Sequence, residues 1–114
     1  MQTPEFHIDV FGDPDLLVLA LRGELDLSTV ARVHEALELH ASPAHRAVVI
    51  DLSALQFMDS SAINLMVRLW RDGDGTVVAF VAPPDDVGRV LDIAGLRDLL
   101  PWVDDPRDAL GQVG

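Results

Sequence analysis

Asp59-Ser60-Ser61 sets a carboxylate directly before two hydroxyls. A serine nucleophile needs a base to take its proton. Met58-Asp59-Ser60-Ser61-Ala62 is not the Gly-x-Ser-x-Gly elbow of hydrolases, and no histidine holds a sequence position that argues for pairing with Ser60. No residue is therefore assigned a catalytic role. Glu24 and Asp26 form a carboxylate pair with acid/base potential, and their place just ahead of a helix also makes them turn and capping residues. His34 and His40 are six apart and do not share a helix face. With no cysteine and no His-x-x-x-His pair, a zinc site is not expected. Asp72-Gly73-Asp74-Gly75 has the look of a calcium loop but lacks the later ligands, including the closing glutamate, so it reads as a glycine-rich turn. The expectation is no metal and no cofactor.

The elements that position these residues follow from periodicity. Phe6 to Phe11 alternates apolar and polar as a half-buried strand does, Gly12-Asp13-Pro14-Asp15 is a turn, and Leu16 to Leu21 is a nearly continuous apolar run. So short a connection demands an antiparallel hairpin, whose second strand is central. Arg22 to Leu27 closes that strand and leads to Ser28 and Thr29, either of which can cap a helix over Val30–His40 with Val33 and Leu37 inward. Ala47 to Leu52 is the next strand, and a helix-length connection makes its pairing parallel. Asp59 is the N-cap candidate of a second helix, with Ile63, Met66, Val67 and Trp70 on its buried stripe. At about 100° per residue, Ser60 projects within about 80° of Asn64, Arg68 and Arg71, which form the exposed stripe and the leading partner surface. Thr76 to Val81 is a fourth strand and Asp85 to Ala94 a helix stopped by Gly95. Leu99 to Val103 is irregular or extended, and Asp105-Pro106 starts a last short helix.

Three motifs in order carry a family resemblance. Gly23-Glu24-Leu25-Asp26 comes first. Asp51-Leu52 follows, then Phe57-Met58-Asp59-Ser60-Ser61-Ala62-Ile63, and last Ala94-Gly95-Leu96. Together they resemble the STAS family, specifically the bacterial anti-sigma factor antagonists. The resemblance implies a single STAS domain over residues 1–114, an α/β fold with a mixed sheet of four or five strands and about four helices. It implies that an anti-sigma factor serine kinase phosphorylates Ser60, that the unmodified form binds this kinase and frees a sigma factor, and that a phosphatase resets Ser60. ATP then belongs to the kinase. Asp26, Ser28, Asp59 and Ser61 surround the serine as partner-binding residues, with Asn64, Arg68 and Arg71 on the helix face. Ala62 stands where the family has glycine; its methyl raises helix propensity and adds bulk towards a partner approaching the backbone. A second role the family offers is a non-switching accessory subunit of a membrane transporter or signalling complex, in which Asp59-Ser60-Ser61 is only structural.

Bulk properties narrow the classes of partner. The chain has 114 residues, enough for one domain, with 49% hydrophobic residues to build a core. Its net charge is −11, from 19 acidic residues against 8 arginines. That field repels nucleic acid and anionic lipid and steers in a partner with a basic face. No apolar run approaches the roughly 20 residues of a membrane span, and Met1 to Glu5 lacks a basic region before an apolar one, so a cytoplasmic location is expected. The oligomeric state is left open.

Overall fold

The alternating apolar residues near the start of the chain bury one side each by pairing. The computed structural model describes residues 6–113; the reading of Met1 to Glu5 lies outside them. β1 (His7–Asp13) and β2 (Leu16–Leu25) pair antiparallel, with Val10 opposite Leu19. α1 (Val30–His40) connects β2 to β3 (Ala47–Met58), and α2 (Ser60–Arg71) connects β3 to β4 (Val77–Val81). β2–β3 and β3–β4 are parallel, and the sheet order is β1-β2-β3-β4. α3 (Arg89–Ile93), α4 (Leu96–Leu99) and a 3-10 helix (Pro106–Gln112) complete the chain. This is the mixed sheet that the hairpin and the helical connections require.

Strand alternation sorts the core into two sides. Leu17, Leu19, Leu21, Ile50 and the fully buried Phe80 meet the helices, including Val33, Ala62, Leu65 and Met66. Leu16, Val18, Val49 and Ala79 point the other way, where Val103 and Ala109 cover them. The segment after α4 reaches β4 through a backbone bridge: Phe80 N–H donates to Pro101 O at 3.0 Å, and Val103 N–H to Phe80 O at 2.9 Å. The expected extended piece over Leu99 to Val103 is thus in part an edge contact. Gly95 takes the left-handed conformation expected of it, with φ 73°. Asp105 accepts from Arg107 N–H at 2.9 Å ahead of Pro106, as a cap should.

Four expectations need correction. β3 does not end near Leu52 but continues to Met58. The register explains this: Ala20 pairs with Asp51 and Arg22 with Ala54, then Gly23 with Leu55 and Glu24 with Phe57. β3 therefore carries an extra residue twice, and such bulges replace the two-residue burial rhythm that identifies a strand. The helix expected over Asp85–Ala94 shrinks to Arg89–Ile93, since Gly88 occupies its N-cap and Pro84 lies four residues before. Trp70 is not buried but 37% exposed; α2 instead buries Ala62, Leu65 and Met66, a stripe rotated away from the expected one. Neither Ser28 nor Thr29 caps α1 by its side chain.

Candidate partner-docking site

Parallel strands deliver their following loops to one end of a sheet, which is where α/β proteins build sites. Here Leu25 pairs with Met58, so the chain leaves β2 and β3 at the same level and sets Asp26–Thr29 beside Asp59–Ser61. Gly23, with φ 100° and buried, lies at the register shift that brings these two exits level.

Asp59 is the N-cap of α2: its Oδ1 accepts from Ser61 N–H at 2.9 Å, which serves one of the donors the first turn leaves without a helical acceptor. Ser60 is the first residue of α2, exposed, and makes no side-chain hydrogen bond to another described residue. Ser61, half-buried, turns towards α1 and joins Asn64 and Arg68 in a cleft of about 200 Å³. Leu27, Val30, His34 and Leu65 complete its walls.

Across from Ser60 the β2–α1 turn is tied by its own side chains. Asp26 Oδ1 accepts from Ser28 N–H at 2.9 Å and from the Ser28 hydroxyl at 2.7 Å. Those bonds, the Ser28 hydroxyl first, hold the Asp26 carboxyl below its ordinary pKa, against a smaller opposing effect of burial. The Thr29 hydroxyl donates to Glu24 O at 2.8 Å and accepts from Asp26 N–H at 2.9 Å. This engagement explains why Thr29 is unavailable as a cap. The same turn holds the Asp26 carboxylate through the Ser28 N–H and hydroxyl, the turn role read from its place ahead of a helix.

The structure sets Asp26, Ser28, Asp59, Ser60 and Ser61 on two neighbouring turns, while Asn64 and Arg68 follow along the cleft wall of α2, Arg68 in its last turn. Arg71 is not brought there: it lies eleven residues beyond Ser60, about 16 Å by helical rise, against Asp72 at 3.8 Å. Three contributors were not foreseen. Leu27 is 79% exposed, Phe57 45% exposed, and His34 lines the cleft. The signal for Leu27 was an apolar residue held between the polar turn residues Asp26 and Ser28. Among the described residues no three histidine, cysteine or acidic side chains converge as a metal site would need, and no helix is long and apolar enough to cross a membrane.

The STAS domain model matches residues 7–109. The anti-sigma-B factor antagonist of Listeria monocytogenes is 30% identical over 97 residues, covering 82% of this chain and 76% of the relative. Among solved structures, an anti-sigma factor antagonist from Mycobacterium paratuberculosis superposes with a TM-score of 0.79 at 25% identity, covering 96% of this chain and 94% of that one. The antagonist SpoIIAA in its unphosphorylated form gives 0.70 at 21% identity, covering 96% of each chain. The Bacillus SpoIIAA in its phosphorylated form gives 0.64 at 20% identity, covering 96% of this chain and all of that one. At those identities the SpoIIAA likeness speaks for the fold.

Proposed function

This chain belongs to the STAS domain family, and we propose that it acts as an anti-sigma factor antagonist whose Ser60 hydroxyl is the switch. In the unmodified state it docks on an anti-sigma factor kinase and frees a sigma factor; phosphorylation of Ser60 ends the docking, and a phosphatase restores it. The observation that carries this reading is the Ser60 hydroxyl, exposed and unengaged on the first residue of a capped helix, on the turn that the Leu25–Met58 pairing sets beside Asp26–Thr29.

The physical effect of the modification is local. A phosphate adds about −1.5 to −2 charge. The positive end of the α2 dipole stabilises it by roughly 0.3–1 kcal/mol, so α2 survives. A partner that covers the bare hydroxyl would have to cover a dianion instead, and an unpaired desolvated charge costs several kcal/mol. Binding is lost while the fold is kept.

The direct test incubates the protein with its cognate kinase and ATP and reads the intact mass. One added phosphate on the wild type, and none on Ser60→Ala, is expected. A wild type that stays unmodified while binding a transporter or signalling complex tightly would contradict the switch and favour the accessory-subunit role.

A further inference from the structure

Among the 8 arginines, five are engaged within the chain. Arg22 meets Asp9 at 3.3 Å, Arg71 meets Asp72 at 3.8 Å, Arg97 meets Asp92 at 3.0 Å and Arg107 meets Asp13 at 2.9 Å. Arg32 donates to Phe6 O at 2.9 Å and lies over the Phe6 ring. Among the described residues Arg46, Arg68 and Arg89 have no such partner. Among the described residues four of the 8 arginines, these three and Arg32, pair with no carboxylate, so the surroundings of each decide what it can do.

Arg89 shares its cleft with Asp86, and Arg46 stands on the loop before β3. Arg68 is different. Its cleft of about 200 Å³ runs along α2 against α1, holds His34, Asn64 and Ser61, has apolar walls of Val30 and Leu65, and contains no acidic side chain. Leu27, 79% exposed, stands at its edge. The geometry points to a receptor for an acidic side chain flanked by an apolar one: we propose that the partner inserts a glutamate or aspartate between α1 and α2 to pair with Arg68, while a neighbouring apolar side chain covers Leu27. This rests on the proposed function and specifies the chemistry of the docking partner.

Two electrostatic scales then act in sequence. The overall negative field draws in a partner that is basic as a whole. The carboxylate taken up at Arg68 fixes register and penalises basic surfaces that lack an acid in the right place.

The test is calorimetric titration of the purified anti-sigma factor kinase with wild type, Arg68→Glu, Arg68→Gln and Arg46→Glu, each checked for an unchanged thermal melt. Arg46→Glu changes the net charge as much as Arg68→Glu does and controls for the long-range field. The expected result is at least about 30-fold weaker binding for Arg68→Glu, a smaller loss for Arg68→Gln and less than about threefold for Arg46→Glu. An acidic-to-arginine change in the kinase that restores Arg68→Glu would identify the paired residue. Wild-type binding with equal affinity for Arg68→Glu overturns the cleft and leaves the proposed function standing. Equal losses in Arg68→Glu and Arg46→Glu overturn it in favour of general charge. No binding by the wild type overturns both.

Discussion

Asp59 was legible from residue type alone: an acidic residue directly before the helical periodicity is where a cap belongs, and its Oδ1 accepts from Ser61 N–H at 2.9 Å. Removing the cap with Asp59→Ala should lower stability by about 0.5–2 kcal/mol, read from denaturant unfolding, with little change in secondary structure. An unchanged midpoint would mean that α2 is held by packing alone. Ser60 was legible in the same way, because the first position of a capped helix faces solvent. Leu27 carried one sequence signal, its place between Asp26 and Ser28, against the general expectation that an apolar residue lies inside; the fold leaves it 79% exposed. Thr29 stands at the N-cap position but gives the helix no side-chain bond, because its hydroxyl serves Glu24 O and the Asp26 N–H of its own turn.

At the scale of elements, what the sequence made plain was the hairpin, both long helices and the parallel order of the strands after them. α1 has the expected bounds because one amphipathic stripe decides it. The far half of β3 was hidden by its two bulges, which leave Leu55 and Met58 buried three residues apart. The Trp70 misreading has a related cause: α2 carries apolar residues around more than half its surface, so periodicity leaves the phase of the buried stripe open. The hairpin itself depends on Gly12. Its φ is 138°, and a Cβ there would fall 2.0 Å from Leu16 O. Gly12→Ala should therefore destabilise by at least about 1–3 kcal/mol, seen as a lower denaturant midpoint. A variant as stable as the wild type would show that the β1–β2 turn readjusts freely.

Over the whole molecule, charge links distant segments. Asp13 in the hairpin accepts from Arg107 at 2.9 Å across 94 residues of sequence, tying β1 to the 3-10 helix. The Asp15 N–H, then Arg107, keeps the Asp13 carboxyl below its ordinary pKa. A carboxyl with a depressed folded pKa contributes stability that is complete above its unfolded value of about 3.9 and is lost as pH falls through the folded value. Relief of the −11 net charge acts in the opposite sense, so the comparison must be between variants. The wild type should lose more stability than Asp13→Asn between pH 5 and pH 3, and parallel melting curves for the two would contradict this linkage. The same surface charge bears on the proposed docking, in which a partner drawn in by a negative field is released by one more anion. The most direct measurement is a calorimetric titration of the anti-sigma factor kinase with the protein before and after enzymatic phosphorylation of Ser60, alongside Ser60→Glu. Tight binding before and none detectable after, with the melting temperature nearly unchanged, is the predicted result. Equal affinity in both states would contradict it.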